Sequence, residues 1–447
     1  MKIKAVIPAI IASAALLVSS AFSAYAVEGL MNPDEELTDG TFTYELNDGK
    51  YTIISCDSTA IVGEIPELRN GYPVTAIGDR ALAGCTGISK LTIPDTVTSI
   101  GSSAFAGCTS LSEVTLPKKL ESLSNGLFMG CTNLRSVDIP DNVAMISSYA
   151  FYNCSSLTDV TLSGSLESIQ PMAFAECSVL ENIDASKTDN FTFEDGFLYG
   201  SGGKNIYRAS TALTGDVYVK DGVQTIEAGA FSVCAGIENL FLPSSLTYIG
   251  DDAFGYCTGL KSVDFHEGLA TIADIAFKEC RSLESIQLPT TVSDVGEGAF
   301  YNCQSLSKVI IPEGVKNIGL GAFASCPMLK NISIPKSVAV IGDNAFGFSV
   351  NSEGTYTAES GFKMSVYSGT AGEKYAKANN FEYTTVDKNL KGLAFAVIGI
   401  GLLAAIGVFA VVLMMRAKKG APKSAKKADK LAREKEEEEN YKKIIED

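Results

Sequence analysis

One phrase of 23 residues constrains this chain more than any other feature. It is plainest in the 21 residues from Ala299 to Gly319, A-F-Y-N-C-Q-S-L-S-K-V-I-I-P-E-G-V-K-N-I-G, and it returns every 23 residues along most of the sequence. Its phenylalanine falls at Phe105, Phe128, Phe151 and Phe174, then at Phe231, Phe254, Phe277, Phe300, Phe323 and Phe346. Leu82 holds the same slot one period earlier, which makes eleven units. Cysteine follows three residues later in ten of them, from Cys85 to Cys326; the last unit has Ser349. A fixed period of this length means a solenoid. One coil cannot bury its own apolar side chains, whereas stacked coils bury each slot against its copy.

The slots define the coil. Leu306, Val309 and Ile311 form L-x-x-V-x-I, whose alternation is that of a strand with one face inward. Pro312 cannot donate to a ladder and closes the strand. Val315-x-x-Ile318-Gly319 reads as a second short extended segment, and G-x-x-A-F-x-x-C as a short helical turn.

The phrase L-x-x-V-x-I-P-x-x-V-x-x-I-G-x-x-A-F-x-x-C resembles the signature of the BspA-like leucine-rich-repeat proteins, a bacterial cell-surface class, over roughly residues 37–385. The resemblance implies a curved leucine-rich-repeat solenoid, of α/β class but β-rich, that binds proteins or surfaces and catalyses nothing. Such a solenoid is expected as one right-handed array over residues 60–350.

Several segments flank or interrupt the array. Residues 1–26 have the positive start (Lys2, Lys4), apolar run and Ala24-Tyr25-Ala26 end of a secretory leader. Residues 27–59 form a lead-in and capping hairpin, with Phe42–Leu46 and Tyr51–Ser55 flanking Asn47-Asp48-Gly49. Open solenoid ends display apolar side chains and unpaired edges, so they need such covers. Between Phe174 and Phe231 the step is 57 residues, so 11 are extra. The irregular island is 186–215, read as a hairpin of Phe197–Tyr199 and Asn205–Tyr207 around glycines. Residues 351–386 decay into a closing unit with a strand at Lys363–Tyr367, a helix at Ala371–Ala378 and a strand at Phe381–Thr385. Residues 393–415 are uncharged and, at 1.5 Å per residue, reach roughly 35 Å, enough for one membrane helix. Arg416, Lys418 and Lys419 follow, which places the tail 416–447 in the cytoplasm and the repeats outside.

Charge narrows the function. The chain carries −16 overall. The tail holds 11 basic and 8 acidic residues and the leader two lysines, leaving 23 basic against 44 acidic over 27–415, a net of −21. So acidic a region lacks the basic footprint that nucleic acid requires. No G-x-S-x-G, H-E-x-x-H or Cys–His arrangement appears, and His266 is the single histidine, so the chain is read as non-catalytic and free of metal and cofactor. The ten repeat cysteines share one interior slot and are expected as thiols; Cys56 stands outside it with no evident partner.

Strand alternation leaves the residues between the apolar slots pointing outward. The central outward slot places Tyr218 beside Phe241 on adjacent coils, then Asp264, and Ile310 three coils beyond Phe241. The neighbouring slot adds Asn239 and Lys308. In leucine-rich-repeat proteins this sheet lines the concave face, and the resemblance implies the same here. Exposed aromatics on a rigid sheet anchor partners, since they bury much area at little entropic cost. These six residues form the expected ligand face for a protein or glycan, with the island as one wall. The alternative reading is a structural spacer or scaffold of the envelope without a specific ligand.

Overall fold

A computed structural model of the chain describes residues 37–386. Each coil carries two short strands, as the slots predict. The L-x-x-V-x-I segments give a row of mostly three-residue strands, such as Lys90–Thr92, Glu113–Thr115, Ser136–Asp138 and Asp159–Thr161. The second segments give a row of two-residue strands, such as Thr271–Ile272, Asp294–Val295 and Asn317–Ile318. Most neighbours within a row pair in parallel, residue by residue at 23-residue offsets, as Val137 with Val160 and Ile272 with Val295; the long-strand row is broken into short ladders, one break falling between Ser262–Asp264 and Ser285–Gln287. Such stacking follows directly from the period, because equal coils superpose equal slots.

The third side of the coil differs from expectation. The G-x-x-A-F-x-x-C segment holds no helix. Alternate N–H groups pair with the next coil, as in Phe105 to the Leu127 carbonyl (3.0 Å) and Phe300 to the Ala322 carbonyl (2.7 Å), while those between them close local turns, as in Ala106 to the Ser103 carbonyl (3.0 Å). Two positions per coil adopt positive φ, the residue before Ala-Phe and the residue before cysteine, as at Ser103 and Gly107. A left-handed residue every four positions prevents i→i−4 bonding. Glycine fits the second position at Gly84, Gly107 and Gly130, but Val233 (φ 62°) and Ile275 (φ 50°) take left-handed dihedrals that β-branched side chains oppose. The glycine after the short strand has another cause. A Cβ at Gly296 would stand 2.4 Å from the Ala273 carbonyl carbon of the preceding coil, and one at Gly319 2.5 Å from the Glu297 nitrogen. Backbones approach so closely there that no side chain fits.

Two columns run through the interior. The phenylalanines stack nearly face to face, with centroids 5.1 Å apart and planes 1° apart for Phe277 and Phe300. The cysteines are buried, and from Cys108 to Cys177 and Cys257 to Cys326 each thiol donates to the carbonyl of the marker residue one coil back, at 3.1–3.3 Å.

Both ends are covered. Strands Phe42–Asn47 and Lys50–Cys56 pair antiparallel around Asp48 and Gly49, both at positive φ, and the second strand pairs in parallel with Tyr72–Ile77. The hairpin turns Tyr44 and Tyr51 inward, and Arg69 lies over the Tyr44 ring at 4.1 Å. At the other end Lys363–Val366 continues the long-strand row beside Asn331–Ser333, helix Ala371–Ala378 follows, and Glu382–Thr385 closes the sheet. Tyr375 on that helix ends the phenylalanine column: its hydroxyl donates to the Phe346 carbonyl (2.9 Å) and accepts from the Phe346 N–H (3.0 Å). A small hairpin, Phe348–Val350 with Tyr356–Ala358, was not legible beforehand.

The island is larger than one hairpin. Strands Phe191–Glu194, Phe197–Gly200 and Asn205–Ala209 form an antiparallel meander, and the last pairs in parallel with Thr225–Ile226. The meander thus joins the short-strand sheet, not the sheet that carries Tyr218. The buried apolar side chains fall into two clusters that meet here: Leu198 belongs to the N-terminal one, Phe197 and Tyr199 to the C-terminal one.

The leader, the 393–415 segment and the tail lie outside the described residues. Among the described residues no helix is long and apolar enough to cross a membrane.

Candidate functional site

Tyr218 and Phe241 end the strands Gly215–Tyr218 and Ile237–Phe241, which pair in parallel with Tyr218 opposite Phe241. Val217 and Leu240, their inward neighbours, are buried, so the alternation turns the two rings outward. The rings stack, with centroids 4.4 Å apart and planes 7° apart, and Tyr218 is 50% exposed. Face-to-face contact is enforced by register, since parallel strands stand about 4.8 Å apart.

A polar row runs beside the rings. Asn239 donates to Asp216 Oδ1 at 2.8 Å, and Ser262 donates to Asn239 Oδ1 at 2.7 Å. Each amide and hydroxyl links one coil to the next, so the row is held as firmly as the strands beneath it. Asp264 stands next to Phe241 in register, with His266 Nε2 4.0 Å from its carboxylate. Phe265 follows in a slot that holds aliphatic residues elsewhere, and its ring meets Phe277 edge-on at 5.8 Å.

The expected six residues therefore do not converge on one patch. Tyr218, Phe241, Asn239 and Asp264 lie together. Lys308 and Ile310 share the face but sit on strand Lys308–Ile310, beyond Ser285–Gln287. Three strand spacings put Ile310 about 14 Å from Phe241. The island also provides no wall on this sheet. It meets this coil on the short-strand side, beside Thr225–Ile226, and Lys220 adds to that contact by pairing with Glu194 and lying 3.6 Å over the Tyr199 ring.

An open groove of about 650 Å³ follows the short-strand side, with Asp251, Asp274, Asp294, Glu297 and Asp343 in its walls. Some of its carboxylates have structural work: Asp251 and Asp274 each accept a backbone N–H from the next coil, from Asp274 (3.2 Å) and Glu297 (2.7 Å). Such side-chain-to-backbone bonds account for acidic residues at turns. Among the described residues no group of three or more His, Cys, Asp or Glu side chains is placed to hold a metal.

Sequence reasoning missed a buried polar group beside the island. Arg208 is fully buried, and its guanidinium donates to the carbonyls of Cys177 (2.9 Å), Ser232 (3.0 Å) and Gly229 (3.3 Å), tying coils on the two sides of the island together. Asp252 is buried nearby, and its Oδ1 has no hydrogen-bond partner. Burial raises its carboxyl to about 7, against the pull of Lys278; Glu176 and Asp251 push it further up. Nothing in the spelling G-D-D-A-F marks one aspartate as buried.

A model of the BspA-type leucine-rich repeat region matches residues 75–201 and 224–353, more than half of the chain, and leaves out most of the second half of the island. The chain belongs to the BspA-type leucine-rich-repeat family. It is similar to the crystal structure of a leucine-rich cell-surface protein from Faecalibacterium prausnitzii, at 26% identity and a TM-score of 0.51, over 70% of this chain and 95% of that one. A leucine-rich-repeat protein from Eubacterium ventriosum shares 23% identity with a TM-score of 0.51, over 69% and 94%. The pneumococcal vaccine antigen PcpA shares 16% with a TM-score of 0.58, over 80% and 100%. The last two show the fold alone. No curated protein sequence matches the chain.

Proposed function

We propose that this BspA-type protein is a surface binding protein, not an enzyme, whose stacked Tyr218–Phe241 pair anchors a protein or glycan partner. The observation that carries the reading is the pair itself: two rings held 4.4 Å apart on a rigid sheet, turned outward, with a fixed polar row alongside. Apolar faces supply area, and the Asp216–Asn239–Ser262 row supplies oriented donors and acceptors for a sugar hydroxyl or a peptide amide. Similarity to a cell-surface protein supports an exposed location. The leader at 1–26 and the apolar segment 393–415 support export of the repeats, one membrane span and a cytoplasmic tail.

The test compares the full chain with the double variant Tyr218→Ser, Phe241→Ser on a glycan array and on immobilised extracellular-matrix proteins. The expected result is binding by the parent and at least a tenfold loss in the double variant at an unchanged melting temperature. Equal binding by both would move the site away from the pair.

A further inference from the structure

The cysteine column has an irregular first member. From Cys108 onward each thiol of the regular coils donates to a carbonyl one coil back. Cys85 has no regular coil behind it. Its Sγ lies 3.8 Å from the Asp57 carbonyl and 4.0 Å from the Cys56 carbonyl. Cys56 Sγ lies 3.4 Å from the same Asp57 oxygen. Two sulfurs thus converge on one acceptor, although 29 residues separate them. Cys56 ends the second strand of the N-terminal hairpin and is half-buried; Cys85 is buried.

We propose that Cys56 and Cys85 form a dithiol pair that closes to a disulfide by exchange with a small soluble disulfide, fastening the N-terminal hairpin to the first regular coil. Cys56, the accessible member, attacks one sulfur of the soluble disulfide and releases one thiol, leaving a mixed disulfide. Cys85 then attacks the Cys56 sulfur and releases the second thiol. The two cysteines are oxidised, the soluble disulfide is reduced to two thiols, and the two cysteine protons pass to those leaving thiols. The hydrogen bond between the two thiols lowers Cys85 and raises Cys56, so the two sulfurs share the first proton lost from the pair. The next thiol along is unsuited: Cys108 donates to the Leu82 carbonyl at 3.1 Å, and burial pushes it up to about 12. The closed pair bridges a segment that contains the strand Tyr72–Ile77, so it restrains the unfolded chain at the end of the array that has no further coil to lean on.

The experiment uses the full chain, purified reduced, treated with oxidised glutathione and then blocked with N-ethylmaleimide in denaturant. Tandem mass spectrometry of the digest should show a Cys56–Cys85 cross-link and the label on the other nine cysteines. The melting temperature of the oxidised chain should rise by several degrees and return with dithiothreitol. Cys56→Ser, at a half-exposed position, should keep the reduced melting temperature and respond to neither reagent. Glutathione found on Cys56 with Cys85 still labelled, label on both, or Cys85 joined to Cys108 would each overturn the proposal.

Discussion

Asp252→Asn isolates a charge that the fold holds at a cost. Asp252 is buried against Ser232 and Lys278, and Glu176 and Asp251 oppose its ionisation. Its carboxyl is lifted from 3.8 to about 7 in the fold. A raised acid pKa means that the folded state holds the proton more tightly than the unfolded state. Stability from this group is therefore full below pH 3.8 and is lost progressively as the pH rises through about 7. Converted at 1.36 kcal/mol per pKa unit, the loss above pH 7 is about 4 kcal/mol. At pH 4 it is under about 1 kcal/mol by the same linkage. Asparagine has nearly the same shape and no charge. The variant should gain about 4 kcal/mol in urea unfolding at pH 8 and less than about 1 at pH 4. Any unmet hydrogen bond of the new amide enters equally at both pH values, so the difference of about 3 kcal/mol is the quantity to test. A pH-independent effect would show that Asp252 is ionised and solvated in the fold, and the reasoning about its burial would fail.

Phe277→Ala removes one ring from the column between Phe254 and Phe300 and should cost ~3–5 kcal/mol in the same unfolding assay; an unchanged midpoint would mean the ring is not interior. Gly296→Ala forces a methyl to within 2.4 Å of the Ala273 carbonyl carbon and should cost ~1–3 kcal/mol, whereas Gly354→Ala, with open space around it, meets no such contact and pays only for its positive φ. Protease added to intact cells should digest the repeats and spare an epitope placed after Lys443; loss of that epitope would reverse the orientation.

The repeat made the coil register, the two strand rows and both interior columns readable before any coordinates, because a fixed period leaves equal slots one way to superpose. The turn side was not readable. Its conformation is imposed by bonds to the next coil, and Val233 and Ile275 adopt dihedrals against their own preferences. The island showed a hairpin pattern around its glycines, but alternation cannot say which of two sheets a hairpin joins. For the candidate site, register alone brought Tyr218 to Phe241 and Asn239 to Asp216. It also kept Ile310 and Lys308 at a distance, since every intervening coil adds about 4.8 Å. Cys56 met Cys85 at an offset of 29 residues, outside the 23-residue period, so periodicity was blind to it.

The meander at the island has a mechanical consequence. Phe197 and Leu198 are neighbours on one strand, yet they belong to separate apolar interiors on either side. In an array each coil draws its support from its neighbours, so cooperativity travels only as far as continuous packing allows. The meander is therefore where two apolar interiors are spliced, and the splice is held by polar bonds: Arg208 reaches the Cys177 and Ser232 carbonyls, and the Met172 N–H reaches the Ala228 carbonyl at 3.3 Å.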